Sequence, residues 1–294
     1  MKRTWDSTSF NIIGFFIVSF FALAAVLPFI LLVSSSVQSE SMILQKGFSL
    51  WPRELSGEAY KFIFMYPENI LRSYGVTIGV TVFGTSFSLF LSSMAAYVLQ
   101  RKDVKYRNKL AFFIYFTTLF NGGIVPYYIM LVKTYRLKDT ILVLILSNLF
   151  NVIYILIIRN YINGSIPDAM SESAKVDGAN DFVIFIRIIL PLMKPALASI
   201  GLFTALIYWN DWWTGMMFIE SDSKTPLQYA LYKVLNKTTF AAEFASRAGV
   251  SIGTMPKETM KLALTVVATG PIIIAYPFVQ KYFVSGITIG AVKG

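Results

Sequence analysis

Six stretches of this chain are apolar for about as long as a bilayer is thick: Phe10–Val33, Tyr74–Leu99, Leu110–Val132, Thr140–Ile158, Pro195–Ile219 and Met260–Tyr282. A helix needs about 20 predominantly apolar residues to cross a hydrocarbon core of roughly 30 Å. None of the six shows the roughly 10-residue apolar/polar alternation of a membrane β-strand. The expectation is an all-α membrane protein of six transmembrane helices. Composition agrees, because only 14% of the residues are charged, against roughly 25% in a soluble domain. The formal charge of +10 is spread thinly along an apolar chain and does not read as a nucleic-acid surface. The chain has no cysteine and no histidine. A disulfide framework, a thiolate metal site, a thiol nucleophile and a histidine base are thereby excluded.

The first stretch follows Lys2 and Arg3 and contains Ala22-Leu23-Ala24, which imitates a signal-peptide cleavage site. Its apolar run continues through Val26–Val33, beyond the 7–15 residues of a usual signal core, so an uncleaved helix is expected. Six crossings put both termini on one side of the membrane. The 26 Lys and Arg residues divide evenly between the two sides. The inner segments are shorter in total, and they include the dense block Arg101–Lys109. The positive-inside rule therefore places the termini in the cytoplasm. Segments 34–73 and 220–259 then face outside, and the long link 159–194 faces inside.

That inner link reads as two short helices at an angle. Pro167 suits the first turn of one helix, and Asp168 and Glu172 suit its positive end. Gly178 can turn the chain without a side-chain penalty. Asn180 or Asp181 caps the second helix, and Pro191 and Pro195 mark the approach to the fifth crossing. The product is an amphipathic elbow shaped to dock on a soluble partner, or to lie along the membrane surface.

Glu172-Ser173-Ala174, then Asp177-Gly178-Ala179, then Ile188 to Leu190-Pro191 and Lys194-Pro195 resemble the EAA coupling motif of bacterial ABC importer permeases, in the binding-protein-dependent sugar permease branch. Ser173 stands where the branch carries Ala. Trp209-Asn210-Asp211 and the ending 280–294 resemble further segments of the maltose-permease-like subunit that lacks an extra amino-terminal domain. The resemblance runs from about the second crossing to the last residue. It implies a type I ABC importer permease fold over a single domain, 1–294, with a core of about 70–283 and a tail of 284–294. It implies that Glu172, Ser173, Ala174, Asp177, Gly178, Ala179 and Pro191 form a cytoplasmic coupling elbow seated in an ATP-hydrolysing subunit. It implies that Gly290, Val292, Lys293 and Gly294 reach between two such subunits. The implied partners are a second, homologous permease, two ATPase subunits, an extracellular solute-binding protein and a carbohydrate, in the cytoplasmic membrane. This chain should bind no cofactor and hold no metal, with ATP and magnesium on the partner subunits. It carries no Gly-x-x-x-x-Gly-Lys-Ser/Thr loop.

An ionisable residue inside a span costs at least about 2.5 kcal/mol and is a functional candidate. Asp211 is one, flanked by Trp209, Asn210 and Trp212. Such aromatic faces and polar groups suit a sugar path, although Trp and Tyr also anchor helices at the membrane boundary. Asn148 and Asn151 read as interhelical hydrogen-bonders, and Gly75, Gly79 and Gly84 as packing positions. Asn121-Gly122-Gly123-Ile124-Val125-Pro126 should break the third crossing, and Pro271 and Pro277 should bend the sixth. The outer loop 220–259 is polar, and the resemblance assigns it to the cleft of the binding protein. Two other readings stand beside this one: an ion-coupled transporter using Asp211, or an ABC permease for a solute other than a sugar. A membrane-embedded enzyme lacks the necessary His, Cys or paired carboxylates.

Overall fold

Residues 5–65, 67–236 and 256–291 are described by the computed structural model. Among them the chain is mostly helical, with one isolated bridge, Gln38 to Leu55, in place of any strand. Two compact units are distinguished: Met1–Pro67 with Lys233–Pro271, and Glu68–Tyr232 with Ile272–Gly294.

The first unit is built around α1 (Trp5–Ser36), apolar on every face. None of its most apolar window, within Phe10–Ser36, is buried within the chain. Side chains such as Phe10, Phe15 and Leu23 stand two-thirds or more exposed. A helix apolar all round belongs inside a core or inside a membrane. The described residues supply no core around its apolar length, so lipid or a neighbouring subunit must. Two short helices follow, α2 (Glu40–Lys46) and α3 (Glu58–Ile63). The Glu40 carboxylate accepts from the backbone N–H groups of Glu258 and Thr259 at 2.9 Å each, and from the Thr259 hydroxyl at 2.8 Å. It thus caps α15 (Lys257–Ala291), where a negative charge meets the positive helix end.

The second unit hangs on α4 (Pro67–Gln100), which is 34 residues long. After it come α5 (Arg107–Leu119), α6 (Ile124–Ile129) and α7 (Ile141–Leu146). Then follow α8 (Val152–Ser165), α9 (Asp168–Val176), α10 (Asp181–Ile184) and α11 (Leu190–Leu192). The series closes with α12 (Lys194–Trp209), α13 (Trp213–Phe218) and α14 (227–236) before α15. Two apolar clusters hold it together. One gathers Ala96, Tyr97 and Leu99 of α4, Ile155, Ile158 and Ile162 of α8, and Ile184, Phe185, Ile189, Met193 and Ile200. The other gathers Val80 of α4, Leu131, Val143, Leu144, Tyr208, Phe218 and Ile219.

Three of the expected crossings are interrupted. The third bends by 115° between α5 and the helical run Ile124–Thr134, at the Asn-Gly-Gly sequence that forecast a break. Gly123 has φ 86, a conformation costly to any residue with a Cβ, and its N–H is held by Asn121 Oδ1 at 2.8 Å. The fourth, read as one helix over Thr140–Ile158, is two, because Asn151 caps α8 by accepting from Ile153 N and Tyr154 N. A mid-span asparagine read as an interhelical bonder is here a helix start. The fifth stops at Trp209 and restarts at Trp213. The sixth expectation lies within α15, which runs through Pro271 and Pro277 without interruption. Among the described residues two helices, Phe10–Ser36 and Pro67–Gln100, are long and apolar enough to cross a membrane, or four if each sharply bent pair is one span. Two π-turns, Met130–Thr134 and Phe185–Ile189, had no signal in the hydropathy pattern.

Candidate functional site

The 159–194 link folds as the elbow its turn residues specify. Pro167 precedes α9 in extended conformation, and α9 runs from Asp168 to Val176. The chain then reverses at Gly178, with φ 83. Gly178 N donates to Lys175 O at 3.0 Å and Ala179 N to Ala174 O at 2.9 Å. This is the paired closure in which a left-handed glycine ends a helix and satisfies its last carbonyls. Asn180, and not Asp181, caps α10, accepting from Val183 N at 2.9 Å. The motif residues divide into two sets. Ala174 and Ala179 pack inward against the cluster beneath the elbow, rooting it. Glu172, Ser173, Asp177 and Gly178 face outward, as do the apolar side chains Met170, Val176 and Phe182. Pro191 lies beyond the elbow, inside α11.

The turn after α4 ties the elbow down through charge. Arg101 pairs with both Asp103 and Asp181, and lies over the Tyr97 ring. Lys175 of α9 reaches Asp103 at 2.6 Å. Lys102 meets Asp168 at 2.9 Å, and Gln100 donates to the same carboxylate at 2.9 Å. From sequence the Arg101–Lys109 block reads only as an orientation signal, since its partners lie 66 to 80 residues away. Hydrogen bonds from Arg101 and then Lys175 hold the Asp103 carboxyl well below the usual carboxylate range. A carboxyl whose pKa falls on folding stabilises fully above its unfolded value, near 4, and that contribution is lost as pH drops through the folded value. The tether should therefore be constant from pH 8 to pH 5. Limited proteolysis of the elbow should give equal rates across that window and faster cleavage only in stronger acid. An Arg101→Gln chain should be cleaved faster at every pH.

The residues expected along a solute path are largely engaged within the chain. Asp211 accepts from Asn148 Nδ2 at 2.7 Å and from Thr214 N at 2.9 Å, so its two oxygens join the break in the fourth segment to the start of α13. Asn210 donates to Leu206 O at 2.9 Å and accepts from Gln228 at 3.4 Å. Trp209 is buried beside Tyr74, and Trp212 stacks on Tyr232 at 4.7 Å. Of the three glycines on α4, Gly84 alone closely meets another helix, facing the Tyr208 ring, while a Cβ at Gly75 or Gly79 would touch nothing among the described residues. Asp139, not singled out from sequence, anchors the far turn. It accepts from Glu220 N, Ser221 N and the Ser221 hydroxyl, and pairs with Lys224 at 3.0 Å. Of the expected tail contacts, Gly290 lies in α15, whereas Val292, Lys293 and Gly294 fall outside the described residues.

Residues 86–289 match the binding-protein-dependent transport system inner membrane component family. The chain belongs to that family. Its members are membrane components of transport systems served by a binding protein, not enzymes. Among relatives, this permease is 40% identical to the polygalacturonan/rhamnogalacturonan transport system permease protein YtcP of Bacillus subtilis, over 96% of this chain and 97% of that one. It is 36% identical to protein LplC of the same organism, over 100% and 98%. Among solved structures it is 31% identical to a chain of a bacterial ABC transporter involved in the import of the acidic polysaccharide alginate. That match has a TM-score of 0.78 and covers 96% of this chain and 99% of the other. The fold is thus that of an ABC importer permease, and the interrupted helices belong to a membrane protein.

Proposed function

We propose that this chain is one of two permease subunits of an ATP-driven importer that carries an oligosaccharide delivered by an extracellular binding protein. In this reading the whole chain is one permease domain with both termini in the cytoplasm. It crosses the membrane six times, by α1, α4, α5–α6, α7–α8, α12–α13 and α15. The elbow α9–α10 seats in an ATPase subunit, and a homologous permease completes the pathway. ATP and magnesium reside on the ATPase pair.

The observation that carries the reading is the construction of the elbow. Its inward face is fixed by Ala174, Ala179 and the Arg101 and Lys175 ion pairs, while Val176 and Glu172 are left outward. A lever must be stiff at its root and free at its tip, and this one is both. The carbohydrate assignment rests on relatives whose own cargo is a polysaccharide. In this reading Asp211 is a structural joint, each of its oxygens accepting a hydrogen bond within the chain.

The test is uptake by proteoliposomes holding this chain with its companion permease, ATPase pair and binding protein. Labelled oligogalacturonate should accumulate only with internal ATP, and collapse of the proton gradient should leave the rate unchanged. Uptake that stops with the gradient and ignores ATP would sink the proposal.

A further inference from the structure

We propose that α5 and the turn before it hold an anionic phospholipid, its phosphate on Lys105 and Lys109 and an acyl chain along Phe113, Phe116 and Phe120. The inference rests on the permease reading above only in placing this end of α5 in the cytoplasmic leaflet. The identity of the cargo does not enter it.

The basic block Arg101–Lys109 divides by what its charges do. Arg101 and Lys102 are engaged by the carboxylates of Asp103, Asp181 and Asp168. Arg107 turns back and donates to Gln100 O at 3.4 Å, at the end of α4. Lys105 and Lys109 are exposed and have neither an ion pair nor a hydrogen bond among the described residues. The carboxylate nearest them in sequence, Asp103, is already taken by Arg101 and Lys175. Both lysines reach one ring instead. Their ammonium groups lie 5.9 and 5.7 Å from the centroid of Tyr106, which is itself exposed. The negative face of an aromatic ring attracts such cations, but two like charges held close together still repel until an anion joins them.

Beyond Lys109 the helix is bare. α5 has no buried residue, and it meets the cluster beneath the elbow through Ala111 and Ile114. Lys109, Phe113, Phe116 and Phe120 recur at i, i+4, i+7 and i+11, which places them on one stripe. Phe113 and Phe120 are each two-thirds exposed, and the Phe116 and Phe120 rings lie 4.5 Å apart. No charged residue occurs from Leu110 to Phe120. At about 1.5 Å per residue the run from Lys109 to Phe120 is about 16 Å long, half of a hydrocarbon core of roughly 30 Å. The surface is therefore cationic at one end, aromatic along the rest, and as long as one leaflet is deep. An anionic phospholipid has the matching shape. Its phosphodiester supplies, at headgroup depth, the counter-charge that the two lysines lack, and its acyl chain continues along the rings. A zwitterionic lipid carries its own cation beside the phosphate and is the poorer partner.

The test uses this chain assembled with its companion permease and ATPase pair in phosphatidylcholine vesicles. These hold a trace of photoreactive phosphatidylglycerol or photoreactive phosphatidylcholine, each with a diazirine on one acyl chain. After illumination and digestion, the peptide bearing residues 110–120 should carry at least fivefold more phosphatidylglycerol than phosphatidylcholine. Lys105→Gln/Lys109→Gln changes two exposed side chains outside the elbow contacts and should bring the two labels to parity. Lys105→Arg/Lys109→Arg should keep the preference. Equal labelling of wild type by both lipids would reduce the stripe to ordinary lipid contact and overturn the site. Absence of both labels would show that the companion permease covers α5, with the same consequence. A preference that survives in the glutamine variant would put the headgroup elsewhere and overturn the assignment to these lysines. ATP-driven uptake by the same vesicles is read separately: a wild type that imports nothing counts against the permease reading, while the labelling ratio still decides the lipid site.

Discussion

A Val176→Asp subunit should fold and insert as wild type does, yet lose its ATPase partners on purification and import no solute. Val176 is the last residue of α9 and is 88% exposed, the most exposed of the large apolar side chains on the elbow. No described residue covers it, so a carboxylate there costs the isolated subunit almost nothing. Against a partner groove the same carboxylate would be buried without a counter-ion, a penalty of several kcal/mol. At about 1.4 kcal/mol per factor of ten, that weakens docking at least a hundredfold. Co-purification of the ATPase subunits and uptake should both be lost, with the melting temperature of the permease unchanged. Gly178→Ala makes an instructive companion. A Cβ at Gly178 meets no atom of this chain, but the φ of 83 is unfavourable for any residue with a Cβ. That substitution should loosen the turn by about 1–2 kcal/mol and weaken docking by reshaping the elbow. Stoichiometric co-purification and normal uptake by Val176→Asp would mean that α9 is not the docking helix.

Replacing Gly84 by alanine should destabilise the permease by about 2–3 kcal/mol, in the upper range for overpacking a tight contact. The added Cβ would lie 2.6–2.8 Å from three carbons of the Tyr208 ring. The ring cannot simply swing aside, because its hydroxyl donates to Ile145 O at 2.7 Å and its body is buried in the cluster around Val80 and Phe218. Either that hydrogen bond breaks or α4 and α12 separate. The apparent melting temperature in detergent should fall clearly, and in a Tyr208→Ala background, itself destabilised, the same glycine substitution should cost much less. Gly79→Ala is the control. Its Cβ would meet nothing within 4 Å, and alanine favours helix by up to about 1 kcal/mol, so stability should hold or rise. Equal losses from the two substitutions would contradict the close approach at Gly84.

Local chemistry made the elbow legible. Gly178 and Asn180 act on bonds within five residues of themselves, so their roles as turn and cap could be read directly. The Asn-Gly-Gly break after α5 was equally plain. The break at Asn151 was not, since an asparagine in an apolar run serves as cap or as cross-helix donor with the same letter. Asp211 shows why path residues were harder to place. Its carboxylate is used by Asn148, 63 positions earlier, and by the start of α13, and neither partner is visible from its neighbours in sequence.

By itself the sequence determined that this chain is a helical membrane protein and where its sharpest turns fall. Hydrocarbon-length apolar runs and turn residues act through burial and through bonds to near neighbours. Only the tertiary structure decided which glycine carries a helix contact and which alanines root the elbow. Those outcomes depend on which distant polar and aromatic groups satisfy one another first, leaving the unsatisfied ones available to a ligand or a partner.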